Sequence, residues 1–414
     1  MSSSTRTAAG PSHLPEPKAG LAATQACWRF LNNDRVTLPA MVGPLREAAR
    51  DALREADAPA ALLVHDWCKL DFRRHKSKED QVQLTHETDV GYELTGALLV
   101  SAEDGSPLAP MEQHLLTADG LLSTRQAGPL TSVHHLEQIL PTMNASADWK
   151  MPCPLVHVID READSVGHYR DWDAAGHLFL VRADDRLVFW DERQCLLSDV
   201  SQELYERDQF REVREVDWHG GKARQFVAET EVVLHRPAKK NVDGKKKEIP
   251  GRPLTLRLIV ACVYDDDGEL LAEWMLLTNV SKEMADAALI AFWYYWRWRI
   301  ESYFKLLKSH GHEVEYWQQE SGMAVARRLL IASMACVMVW NLERTNTPEA
   351  NELKAVLIQL SGRQMKRSRP CTAPALLAGL CALLPVLDLL SHEKYDIDHL
   401  RDLVVNVIPL LNSG

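Results

Sequence analysis

Apolar and polar positions along the chain recur with two periods. From Leu21 to about Ala58 they carry helical spacing, first in LAATQACWRFLNN and then in LPAMVGPLREAARDALREA. Then the period shortens. PAALLVHD (59–66) is a continuous apolar run ending on Asp66, the pattern of a strand buried on both faces. VGYELTGALLVS and SPLAPMEQHLL follow, separated by Glu103-Asp104-Gly105, and Asp-Gly between strand-like runs signals a hairpin. Val133–Met143 reads as a helix. PLVHVID (154–160) repeats the earlier arrangement and delivers Asp160 at its end. A helical DREADSVGHYRDW and a strand HLFLVRA (177–183) come next. Three strands, helix, strand, helix, strand predicts an α/β mixed sheet with helices packed on it.

Residues 186–280 change character. RLVFW, ARQFVAETEVVLHR, PLTLRLIVACVYDD and ELLAEWMLLTN are β-like, broken by a basic loop, PAKKNVDGKKKEIPGR. Helical patterning resumes at Lys282 and runs to about Lys308, so the block reads as a β insertion rather than a separate domain. From Gly322 onward the pattern is mostly helical. The longest apolar stretches, Leu329–Trp340 and the proline-broken Cys371–Leu390, read as buried helices rather than membrane spans. Residues 1–20 have no apolar signal core and read as a flexible leader.

Composition changes this picture in two respects. Lys and Arg number 47 against 58 Asp and Glu, net −11, which excludes a general basic coat for nucleic acid but not a local basic groove. The 8 cysteines form no CxxC pair, which argues against a zinc knuckle or disulfide framework and suits a reducing cytoplasm.

The segment YYWRWRIESYFKLLK (294–308) holds the most chemistry. At 100° per residue, Tyr294, Arg297, Glu301 and Lys308 fall within an arc of about 60°. Trp293, Ile300, Phe304 and Leu307 occupy the adjoining arc and would seat the helix on a sheet. By itself this spacing equally describes an amphipathic helix with an Arg297–Glu301 ion pair. The set Tyr-x2-Arg-x3-Glu-x6-Lys, however, resembles the Tyr-Arg-Glu-Lys signature of DDE transposases from bacterial insertion sequences, the transposon-five transposase group. DREAD (160–164) is similar to that family's second catalytic-Asp motif, and HDWCKLDF (65–72) to the segment carrying the first.

The resemblance implies a ribonuclease-H-like core in which Asp66, Asp160 and Glu301 bind two Mg2+ (or Mn2+) ions, with Tyr294, Arg297 and Lys308 clamping DNA phosphates. It further implies a cut-and-paste transposase that joins a freed 3′-hydroxyl to target DNA, through a hairpin intermediate. On this basis residues 21–58 are an N-terminal helical DNA-binding remnant, 59–185 and 281–325 the two parts of the core, 186–280 the β insertion subdomain, and 326–414 a helical region for dimerisation on double-stranded DNA. The expected location is the bacterial cytoplasm, at the nucleoid, with no membrane association. A transposase-derived protein that binds DNA without cutting, and a nuclease without strand transfer, remain open alternatives.

Other residues invite weaker readings. Asp71 rivals Asp66 as a ligand, Glu162 and Asp164 read as helix-start acids, and His310 and His312 as a solvated turn. Basic groups cluster at Lys69–Lys78, in the loop 236–252, and at Arg363, Lys366, Arg367 and Arg369, suggesting phosphate tracks beside the site. Arg182 ends a strand and is a candidate phosphate contact. Trp274 divides between a core position and a platform for a displaced base.

Overall fold

The computed structural model describes residues 20–56, 58–131, 134–218, 221–242, 245–309, 311–365, 371–390, 396–399 and 401. The expected leader up to residue 19, together with His310, Lys366, Arg367 and Arg369, lies outside the described residues. The chain opens with helices α1 (Gly20–Leu31) and α2 (Leu38–Ala56), followed by strands β1 (Ala61–Asp71), β2 (Val82–Gln83), β3 (Val90–Ser101), β4 (Pro107–Thr117) and β5 (Gly120–Ser123). Helix α3 (His135–Ser146), β6 (Leu155–Ile159), α4 (Val166–Ala174) and β7 (Leu178–Arg182) complete the first half of the core.

The next block contains β8 (Leu187–Trp190), β9 (Arg193–Leu196), helix α5 (Leu197–Glu206), and the strands β10 (Arg211–Trp218), β11 (Gly221–Leu234), β12 (Ala238–Val242), β13 (Lys245–Ile249), β14 (Leu254–Tyr264) and β15 (Leu270–Thr278). Helices α6 (Ala287–Tyr295), α7 (Trp298–Leu307), α8 (Gly322–Arg344), α9 (Pro348–Ser361) and α10 (Ala373–Leu390) follow.

Among the described residues, one sheet runs in the order β5-β4-β3-β1-β6-β7-β15-β14-β11-β8-β9, with β2 and β10 paired at its sides. β1, β6 and β7 are parallel to one another, while β3 and β15 flank them antiparallel. This is a mixed sheet, and most strands of 186–280 extend it through β15 against β7, while β12 and β13 pair with each other as a separate two-stranded sheet. Two apolar layers cover its faces. One buries α2, α6, α7 and α8, with Ile290, Trp293, Ile300 and Phe304 among its members. The other buries α3, α4 and α5 through Met143, Tyr169, Trp172, Leu197 and Val200. Helices on both faces leave the strand ends as the place where polar side chains of several elements meet.

Three expectations need correction. The basic loop after β11 is a β-hairpin, with Lys240 opposite Lys247 and Val242 opposite Lys245 in backbone register. The block 186–280 also holds helix α5, whose apolar face caps β8 and β9. Helix α8 is the buried helix expected of the apolar run 329–340: it spans 23 residues and is long and apolar enough to cross a membrane, but 83% of its most apolar window is buried inside the fold. Its apolarity belongs to a core helix.

The third correction matters most. No single helix runs from Lys282 to Lys308; α6 starts at Ala287 behind its cap, Asp286, whose side chain accepts the Leu289 N–H at 2.8 Å, and it stops at Tyr295. Between α6 and α7 the backbone tightens. The bonds Arg297 N→Tyr294 O, Arg299 N→Trp296 O and Ile300 N→Arg297 O all span three residues. Such 3₁₀ winding eclipses side chains three apart, so it brings Tyr294 and Arg297 into line.

Trp296, inside this step, packs on Phe292 at 4.3 Å between centroids and covers Gly105 of the β3–β4 turn. Gly105 has φ +69°, and a Cβ there would enter the Trp296 indole. Gly105→Ala therefore combines a left-handed backbone with overpacking. It should cost about 2–4 kcal/mol in a urea unfolding titration, and a midpoint equal to wild type would disprove the packing role.

Candidate active site

Register builds the site. His65 of β1 lies level with Ile159 of β6, where β6 ends. The next residues on these neighbouring parallel strands are Asp66 and Asp160. Asp66 is thus not a strand terminus as expected: β1 runs on to Asp71 paired only with β3, and Asp66 sits opposite Gly96 where β1 outruns β6. Each aspartate is pinned in the same way. Asp66 Oδ1 accepts the Trp67 N–H at 2.8 Å and Asp160 Oδ1 the Arg161 N–H at 2.8 Å. Helix α7 seats on β1 and β3, with Phe304 Cε1 and Ile300 Cδ1 3.5 and 3.8 Å from where a Cβ on Gly96 would stand.

The 3₁₀ step then delivers Arg297, only 6% exposed, into the gap between the acids. Its Nη1 donates to Asp66 Oδ2 at 3.0 Å and its Nη2 to Glu301 Oε1 at 2.9 Å, with Asp160 Oδ2 3.8 Å from Nη2. The Tyr294 hydroxyl donates to Asp160 Oδ1 at 3.0 Å. Trp298, half exposed, lies under the Arg297 guanidinium at 5.2 Å. A cleft of ≈ 530 Å³ opens beside this cluster, lined by Asp66, Asp160, Arg297, Glu301, Lys308 and Glu315.

Charge does not balance here. One guanidinium faces three carboxylates. Burial pushes Asp66 up to about 6, with the Glu301 and Asp160 charges adding to it, and the Trp67 N–H and Arg297 only partly offset this. Burial also works against Asp160, but Arg297, the Arg161 N–H, Tyr294 and Arg182 outweigh it and hold that carboxyl below its ordinary value. Burial and the Asp160 charge push the Tyr294 phenol well up, so it stays a donor. Among the described residues no three acid, histidine or cysteine side chains already enclose a common metal position; Arg297 fills the space between these three. The donor set nonetheless fits a hard divalent cation, because it offers only carboxylate oxygens and leaves Asp66 short of positive charge.

The remaining expected residues divide. Lys308 lines the cleft, but its Nζ donates to Lys69 O at 2.7 Å and pairs with the Glu315 carboxylate at 2.9 Å rather than with the three acids. Arg182, at the end of β7, acts electrostatically on Asp160 and Tyr294 from a half-buried position. Trp274 is 7% exposed, packed between Trp218 at 5.9 Å and Tyr294 at 6.2 Å, so it supports the Tyr294 ring and offers no open face to a base.

Asp71 is held by Arg73, its Oδ2 accepting the Nε at 2.6 Å. Asp164 is buried against Arg186 at 2.9 Å and accepts the Tyr169 hydroxyl, so it braces α4. His312 is no solvated turn: it is buried, pushed down to about 4 by burial, with Nε2 3.6 Å from Cys336 Sγ. Lys78 is no phosphate contact either, for its buried ammonium donates to Trp317 O at 2.9 Å and also to Gln319 O.

Two features escaped sequence reasoning. Trp67 stacks on His135 at 4.5 Å and donates to Glu162 Oε2 at 2.8 Å, while His135 also meets Glu93 Oε1 at 2.9 Å. Glu315 enters the cleft beside Lys308. No periodicity marks either, since each pairs residues from distant segments.

Residues 111–338, more than half of the chain, match the family model described as the Transposase DDE domain. The matched span includes Asp160 and Glu301 with the whole 294–308 segment, and leaves Asp66 upstream. No curated protein matches the chain.

The Asp66 geometry carries a consequence for stability. Its carboxyl is raised to about 6 in the fold from an ordinary 3.8, so the folded chain holds that proton more tightly than the unfolded one. The stability it contributes is fully present below about pH 4 and is lost as pH rises through about 6. Asp66→Asn keeps an oxygen for Arg297 and escapes this loss. At pH 7 it should be more stable than wild type by about 1–3 kcal/mol, and its urea midpoint should stay flatter from pH 4 to 6. A variant less stable than wild type at pH 7 would contradict the electrostatic account.

Proposed function

The chain belongs to the transposase DDE-domain family, a group of metal-dependent DNA nucleases and strand transferases, and on that premise we propose that it is a cut-and-paste transposase of the Tyr-Arg-Glu-Lys type. It would hydrolyse a phosphodiester at each element end, reopen a hairpin formed by the freed 3′-hydroxyl, and join that hydroxyl to target DNA. The observation that carries this reading is the meeting of Asp66, Asp160 and Glu301, from two parallel strands and a helix far apart in sequence, around one guanidinium at an open cleft.

Asp66, Asp160 and Glu301 would hold two magnesium ions. Bound there, the metal would supply Lewis-acid stabilisation and an activated oxygen nucleophile. The chain's own side chains do the rest. Arg297 is always charged and presents a planar fork suited to phosphate oxygens, so it can pass from the carboxylates to a scissile phosphate without a change of protonation. Tyr294, kept protonated, donates a hydrogen bond beside Asp160. Arg182 and Lys308 flank the cleft as further phosphate partners, and the lysine-rich β12–β13 hairpin extends the basic track. Two copies of the chain would hold two ends together, with the α9–α10 region as the contact.

Asp160→Asn and Glu301→Gln should each lower magnesium-dependent nicking of element ends by about a thousandfold or more, while DNA retention in a gel shift stays near wild type. Both changes remove a metal-facing charge and leave the phosphate contacts in place. Full nicking by either variant would sink the site assignment. Nicking absent from wild type, with DNA still bound, would instead favour a protein that binds without cutting.

A further inference from the structure

Lys308 sits in the cleft already committed. An ammonium has three donors; one is used on Lys69 O at 2.7 Å, and Glu315 Oε1 stands 2.9 Å away as its ion-pair partner. Glu315 belongs neither to the three acids nor to the Tyr-Arg-Glu-Lys set, yet it lines the same cleft. It is also firmly placed. The same Oε1 accepts the Asp71 N–H at the end of β1 at 3.0 Å, and its carbonyl accepts from His75 Nε2 at 2.8 Å.

The one-turn 3₁₀ segment that carries it, Val314–Tyr316, is clamped on either side. Trp317 Nε1 donates back to His312 O at 2.8 Å, the buried Lys78 ammonium caps Trp317 O at 2.9 Å, and Val314 is fully buried. A carboxylate fixed to the strand that bears Asp66 therefore fixes the ammonium beside it.

We infer that Glu315 is a positioning residue for the DNA-cutting reaction, holding the Lys308 ammonium at the cleft by charge with an N–H left for a phosphate oxygen. The inference rests on the proposed cutting of DNA at this cleft. Without the Glu315 charge, Lys308 keeps only the Lys69 carbonyl, and a four-carbon stem gives its ammonium many positions other than the productive one. A partly exposed ion pair of this kind sets the size of the effect.

The test is a double-mutant cycle read as the nicking rate at saturating DNA, with thermal unfolding of every variant. Glu315→Gln, which retains an acceptor for the Asp71 N–H, should slow nicking about two- to fivefold with an unchanged unfolding temperature. Lys308→Met should slow it further. The double variant should match Lys308→Met alone, because Glu315 acts only through that lysine. Glu315→Asp should recover part of the rate. Losses that simply multiply would assign Glu315 to the fold or to the general field and overturn the inference, as would a faster rate in Glu315→Gln, which would make Glu315 a competitor for Lys308. A wild type that cuts while the losses multiply removes this inference alone. A wild type that fails to cut removes the cutting reading and the inference together.

Discussion

One buried guanidinium organises this molecule. Arg297 meets Asp66, Glu301 and, more distantly, Asp160, and removing such a group from among three neighbouring acids, Asp66 the most buried of them, would leave them to repel one another. Everything around it fixes where it stands. The β1/β6 register sets the two aspartates level, the backbone amides that follow them turn one oxygen of each aside, and the 3₁₀ step aims the arginine between the others. Behind that step stand Trp296 and the one turn conformation that leaves room for it, at Gly105.

The same arrangement is under-neutralised by design of the chemistry rather than by poor packing. Three carboxylates and one cation leave a surplus of negative charge, and Asp66 bears most of the cost through its burial. Arg297 Nε also has no hydrogen-bond partner among the described residues, although the rest of its guanidinium is engaged. Sites that act on charged substrates commonly carry such local deficits, which well-packed surroundings sustain. Here the surroundings are two apolar layers that cover both faces of the sheet.

Much of the fold was readable from pattern, because the central strands are buried on both faces and leave uninterrupted apolar runs. β3, β6 and β7 stand where those runs lie, and α2 spans the segment its spacing marks. The grouping of Tyr294, Arg297 and Glu301 was also visible, though for an incomplete reason: a regular helix approximates their alignment, and only the tighter winding at Trp296 produces it. What stayed hidden depends on contacts between distant segments. Lys78 and His312 look like surface groups until the chain folds over them, the pairing of β12 with β13 lies within a charge run, and Glu315 reaches Lys308 through a braced turn with no period at all. Trp274 looked equally suited to two roles, and its neighbours Trp218 and Tyr294 give it one.

The order of the site's parts along the chain imposes a schedule on synthesis. Asp66 and Asp160 lie on strands that adjoin β3 and β7, all of which leave the ribosome before any part of α7. About 140 residues separate Asp160 from Glu301, and at about 5–20 residues per second that gap is of the order of ten seconds. Throughout it the nascent polypeptide holds two acids without their arginine, their third carboxylate or the helix that closes the cleft. A ribosome-bound fragment halted within that gap therefore carries two neighbouring acids with no partner cation between them, and the guanidinium and third carboxylate arrive together, late, with the short stretch around residue 300.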